Sequence, residues 1–167
     1  MNHPTSAPRN KPVLKDEEID PALFDMSRQV ISSSIDIHRA LGPGLDKSVY
    51  DAALAQELRH HGMHFTTGHE FPVEYKGKQV GTHKVCFYIG ERFVVRTVVM
   101  PHEVGGFERD QLRNQLKLAD LELGLIINFG LKRLTDGLVR VINPDKIDSL
   151  RGGHGAGSAS APAGGNA

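Results

Sequence analysis

Residues 81–100, GTHKVCFYIGERFVVRTVVM, decide how this chain is to be read. β-branched and aromatic residues dominate the stretch, and Gly90-Glu91 supplies a turn near its middle, so the pattern predicts two strands of a hairpin-like pair. Arg96 and Val98 stand two apart, which puts them on one face of the second strand. Cys86 comes to the same face if the two strands pair across that turn. What those three side chains can do depends on the text around them: IDIHRALGPGLDKSVYDAALAQELRHHG upstream (35–62) and DQLRNQLKLADLELGLIINFG downstream (110–130).

Working outward, Leu23, Met26, Val30, Ile37 and Leu41 fall near a 3.6-residue period and predict a first helix, stopped by Gly42-Pro43-Gly44. A second helix follows, with Asp46 or Ser48 as N-cap, Tyr50, Leu54 and Leu58 as its apolar stripe, and Gly62 as its stop after Arg59-His60-His61. Strands are expected at 70–76, 79–89 and 92–100, a third helix at 107–121, a buried strand at 123–129 and a last strand at 137–142. Helices interspersed with a continuous apolar strand predict an α/β fold with a central mixed sheet flanked by helices.

Composition narrows the function classes. The 167 residues suffice for one core of ordinary size, and twenty basic residues balance twenty acidic ones, so no global field draws the protein to nucleic acid or anionic lipid. One cysteine excludes an internal disulfide framework. No apolar stretch reaches the roughly 20 residues needed to span a bilayer, and the first twenty or so lack the apolar core of a secretory signal, so a cytoplasmic location is expected. The Pro- and charge-rich start (1–21) and the Gly/Ala/Ser tail (151–167) are expected to be disordered around a single domain at 22–150.

Over residues 26–143 the chain resembles the GxxExxY family of PD-(D/E)XK nuclease-type proteins. His38, Gly42, Gly44, Tyr50, Gln111, Asn128, Phe129 and Gly130 match the family pattern. The resemblance implies a restriction-endonuclease-like core, and it implies Glu at the position of Lys47, Asp at Cys86, Glu at Arg96, Lys at Val98 and Tyr at Gln115. The chemistry associated with that fold needs Mg²⁺ or Mn²⁺ on carboxylate oxygens to stabilise charge and to lower the pKa of an attacking water. A neutral thiol is a poor ligand for a hard cation, and a guanidinium has donors but no acceptor. At the four implied positions of acid and lysine, two net negative charges become two net positive ones. No catalytic residue, metal or other cofactor is therefore expected. Lys47, Arg96 and Gln111 become candidates for holding an anion or a partner, while His38, Gly42, Gly44 and Tyr50 are scaffold. A plainer alternative has Arg96 paired with Glu103, Glu70 or Asp46.

Other groupings are weaker. His60, His61, His64 and His69 straddle the expected helix stop and have no cysteine beside them, so exposed and helix-end histidines explain them better than zinc. Cys86 with His83 or His38 would need a contact that spacing does not supply to become a nucleophile. Arg92, Arg96, Arg109, Arg113, Lys117, Lys132, Arg133 and Arg140 interleave with acids and read as a mixed surface. Asp46, Glu91, His83, His102 and Glu103 flank the expected site, but a migrated ligand would need a register change, since one residue along a strand reverses the face.

The expectation is a catalytically inactive nuclease-like domain acting as a protein-binding or structural module, with another protein or a second copy as partner. A non-cleaving nucleic-acid binder using a positive cleft is the alternative, and a nuclease with migrated ligands is a third.

Overall fold

A computed structural model describes residues 19–147. The expected terminal segments, 1–21 and 151–167, lie outside this range apart from residues 19–21, where Ile19 is buried and Pro21 already opens the first helix.

Helix α1 spans Pro21–Leu41. Pro21 tolerates the first helical position because its missing N–H has no partner there anyway, and the Asp20 carboxylate accepts from the Ala22 and Leu23 amides, both at 3.1 Å. The helix stops at Gly42, whose φ of 76° favours a residue without Cβ. Helix α2, Lys47–His60, turns back against it, with Tyr50, Leu54 and Leu58 buried as the periodicity predicted.

Seven strands follow: β1 Phe65–Thr67, β2 Glu70–Tyr75, β3 Lys78–Lys84, β4 Phe87–Ile89, β5 Phe93–Val98, β6 Leu123–Asn128 and β7 Leu138–Ile142. Helix α3, Gly106–Leu118, stands between β5 and β6. The main sheet has the order β1-β4-β5-β6-β7, and β5 and β6 form its parallel pair, which requires the α3 crossover. One face carries α1 and α2, where Leu23, Val30, Tyr50 and Leu54 meet Phe93, Val95, Leu125 and Ile127. On the other face α3 lays Leu112 and Leu116 against Val94, Ile126 and Val141. Because both faces are covered, every residue of β6 is buried, which accounts for its uninterrupted apolar text.

The expected mixed α/β architecture is what the chain adopts, but the strand 79–89 is two. Residues of β3 pair with β2 in a separate two-stranded sheet, whereas β4 pairs with β1 and β5 in the main one. The physical reason is composition. KQVGTHK is exposed at nearly every position and has nothing to contribute to a core, while Phe87 and Ile89 are fully buried. The break before β4 is therefore what the long expected strand contributes to the site, beside strand β5. Strand β1 escaped notice because three residues cannot display a period.

Arg92, at the start of β5, bridges two other elements. It reaches Asp20 at 2.9 Å and Glu122 at 3.2 Å, tying the entry of α1 to the starts of β5 and β6. The hydrogen bond from Arg92, followed by that from the Leu23 amide, holds the Asp20 carboxyl below its ordinary pKa. A carboxyl whose folded pKa is depressed stabilises the fold above the unfolded value of about 3.9 and stops doing so as pH falls through the folded value. Asp20→Asn keeps a capping side chain but loses the charge. Its melting temperature is expected below the parent's at pH 7, with the gap closing as pH is taken below about 4; Asp20→Ala should lose the cap as well, about 1 kcal/mol more. Parallel thermal melts across that pH range check both.

Candidate functional site

Strand β5 and the chain leaving it run between the start of α2 and the flank of α3. A cleft of about 770 Å³ lies there. Strand alternation decides what enters it: Phe93, Val95 and Thr97 point toward α1 and α2, so Val94, Arg96 and Val98 point toward α3. Gln111 and Gln115 stand one turn apart on α3, next to the Leu112 and Leu116 that seat the helix. Lys47 opens α2, and Cys86 sits in the break between β3 and β4. All six positions (Lys47, Cys86, Arg96, Val98, Gln111 and Gln115) line this one cleft.

Their electrostatics are not alike. Lys47 pairs with Asp51 one helical turn on, and Asp51 also accepts from the Thr97 hydroxyl across the α2–β5 contact. Burial pulls the Lys47 ammonium pKa down, but the bond to Asp51 and the neighbouring Cys86 sulfur outweigh it, so the pKa is raised and the lysine stays charged. Lys84 lies 3.7 Å from Glu70. Arg96 differs: among the described residues it has neither an ion pair nor a hydrogen-bond partner. The expected alternative pairing with Glu103, Glu70 or Asp46 is therefore not formed. The Gln111 Oε1 is also buried without a donor.

These residues do not fit a divalent cation. The cleft's acidic side chain is Asp46, Asp51 is committed to Thr97 and Lys47, and no group of three or more His, Cys, Asp and Glu among the described residues is placed to share a metal. The histidines disperse: His61 approaches Glu57, His69 packs on Phe71 and Tyr88, and His83 stacks on Phe71 with burial lowering its pKa. Of the basic residues read as a mixed surface, Arg92, Arg113 and Arg133 are each in an ion pair.

A frame of backbone contacts holds the cleft open. The Asn128 side chain accepts from the Met100 and Gly130 amides, each at 2.9 Å, and donates to the carbonyls of Met100 (3.2 Å) and His102 (2.9 Å). Gly130 has no room for a side chain, since a Cβ there would sit 2.2 Å from the Met100 carbonyl oxygen. Phe129 stacks on Tyr50 at 4.4 Å, and the Tyr50 hydroxyl donates to the Gly42 carbonyl while accepting from the Leu45 amide at 3.0 Å. His38 Nε2 donates to the Leu131 carbonyl at 2.8 Å. Asn128-Phe129-Gly130 thus does more than turn the chain at a strand end. Asp51 was not singled out in the sequence, although its i,i+4 spacing from Lys47 on a predicted helix was the available signal.

A family model described as the PD-(D/E)XK nuclease superfamily matches residues 24–141. The match spans most of the chain, and the chain belongs to that superfamily. No curated protein and no solved structure matches it. Among the described residues no helix is long and apolar enough to cross a membrane.

Removing the frame should cost stability while removing a cleft side chain should not. Asn128→Ala strands four backbone groups and is expected to cost about 3 kcal/mol or more, and Tyr50→Phe about 1–3 kcal/mol. Gln115→Ala should stay within about 0.5 kcal/mol. Urea unfolding of the three variants checks the order.

Proposed function

We propose that this superfamily member is a GxxExxY-type protein that is catalytically inactive and works as a binding module, with the cleft above β5 as its contact face for an anionic group. The observation that carries the reading is Arg96. A nuclease site of this superfamily needs carboxylates at the strand positions taken here by Cys86 and Arg96, and the guanidinium would repel the cation that such chemistry requires. With Lys47 across the cleft and Val98 in place of a lysine, neither the ion nor the attacking water has a holder.

The same arginine argues for what the cleft does instead. Arg96 has no acceptor among the described residues, so its donors are free, and a carboxylate or phosphate oxygen supplies both a counter-charge and hydrogen bonds. An acidic segment of a protein partner, or of a second copy of the chain, satisfies it in the reading expected first from sequence. A nucleic-acid phosphate satisfies it in the alternative, and the unpaired state of Arg96 favours an anion in either case.

The purified chain is expected to give no calorimetric heat with Mg²⁺ or Mn²⁺ and no cleavage of single- or double-stranded DNA or RNA. Metal-dependent cleavage that disappears on changing Asp46 or Asp51 would overturn the reading. The combined change Lys47→Glu, Cys86→Asp, Arg96→Glu and Val98→Lys should create Mn²⁺ binding where the parent shows none, because it returns a net negative charge to side chains that share one cleft.

A further inference from the structure

The cleft supplies more than a cation, and its other features narrow the ligand. Among the described residues Arg96 is the one unneutralised cation in its lining, since Lys47 is held by Asp51 and Lys84 lies within ion-pair distance of Glu70. A groove that tracks a nucleic-acid backbone neutralises several successive phosphates. One free guanidinium matches one phosphate.

Size and polarity point the same way. At about 770 Å³ the cleft lies within the range of roughly 300–1,000 Å³ common to small-molecule sites. Val98 and Met100, both partly exposed, give one side of an otherwise mixed lining an apolar character, so the cleft can seat a flat face beside a charge. The Gln111 Oε1, buried and without a donor, is an acceptor waiting for an N–H or O–H. A buried polar atom left unpaired in a cleft is a group whose partner is a ligand or a water, and an unmade bond there is costly. Phosphate, apolar-faced ring and ring-borne N–H occur together in a nucleoside monophosphate.

We infer that the cleft is a small-molecule pocket for a nucleoside monophosphate, with Arg96 holding the phosphate and Gln111 accepting a hydrogen bond from the base. This rests on the non-cleaving, anion-binding reading and goes beyond it by replacing a polymer or protein partner with a single nucleotide. Val98 is part of the device. A lysine there would reach into the space the base occupies, and the apolar side chain leaves that wall open to a ring.

The test is calorimetry on the full chain with AMP, GMP, CMP and UMP, against adenosine, inorganic phosphate and glucose 6-phosphate. At least one nucleotide is expected to bind about tenfold or more tighter than all three controls. Arg96→Gln should weaken that nucleotide at least about tenfold, and Gln111→Leu about tenfold while leaving phosphate unchanged. Arg96→Lys, which keeps the charge but not the fork, stands in should Arg96→Gln fail to fold, and should also weaken binding. The inference falls if no nucleotide binds at about 10 mM. It also falls if adenosine or glucose 6-phosphate binds as well, or if Gln111→Leu has no effect. Cleavage of nucleic acid in the same preparations would remove the reading beneath it. An oligonucleotide or acidic peptide held through Arg96, with no mononucleotide bound, would remove the nucleotide alone.

Discussion

The Asn128 side chain is the constraint on which the rest of the architecture turns. Parallel strands cannot be joined by a hairpin, so β5 must leave the sheet, cross through α3 and return as β6. The chain leaving β5 then has polar backbone groups at Met100 and His102 with no strand to pair them. Asn128, the last residue of β6, meets those groups with its amide and also fixes its own exit at Gly130. Since a buried amide must satisfy both its oxygen and its nitrogen, few other side chains could take the position: Asp lacks the donors and Leu lacks both. Gly130 follows from the same closeness, because the two exits run nearly in contact.

From that junction the order spreads to the helical layer. Phe129, positioned by Asn128 and Gly130 on either side, offers its ring to Tyr50 and its carbonyl to the Gly44 amide at 3.3 Å, and Tyr50 in turn pins the Gly42–Leu45 turn. This turn fixes where α2 begins and hence where Lys47 stands. His38 completes the circuit from α1 to Leu131. The scaffold residues His38, Gly42, Gly44 and Tyr50 therefore serve the cleft through backbone geometry, and none needs to touch what the cleft holds. Chemistry and frame are separable here: the frame's hydrogen bonds are the same whether Lys47, Cys86 and Arg96 or carboxylates occupy the positions they surround.

Much of this was legible in the sequence, for identifiable reasons. The helices α1 and α2 announced themselves through Leu23, Val30, Tyr50, Leu54 and Leu58, all of which are buried, and β6 through an apolar run that only a doubly covered strand carries. Strand alternation accounts for Arg96 and Val98 sharing a face, but Cys86 reaches the cleft from the break between β3 and β4, outside any strand, and packs with the core cluster of α1 and α2. Local pattern could not show the break after β3, because pairing partners are chosen by burial: both β3 and β4 have strand-forming residues, but only β4 has side chains the core can use. Nor could spacing show that Lys47 would be neutralised by Asp51 and Arg96 by nothing. Ion pairing across elements is decided by where the backbone brings side chains: Glu70 stands beside Lys84 on the separate hairpin, and Asp46 lines the same cleft as Arg96 without pairing with it.

Arg96, partly exposed in the cleft and without a partner among the described residues, needs a physical account, since folded chains commonly set a carboxylate beside such a cation. Here acids were close at hand, since Asp46 lines the same cleft and Asp51 lies just beyond it, yet Asp51 turns to Thr97 and Lys47. That choice neutralises Lys47 and leaves Arg96, in the same lining, without a partner among the described residues. The uncompensated charge is tolerable because the cleft opens to solvent, and it gives an incoming oxyanion a larger gain than a pre-paired arginine could, since no existing ion pair must first be broken.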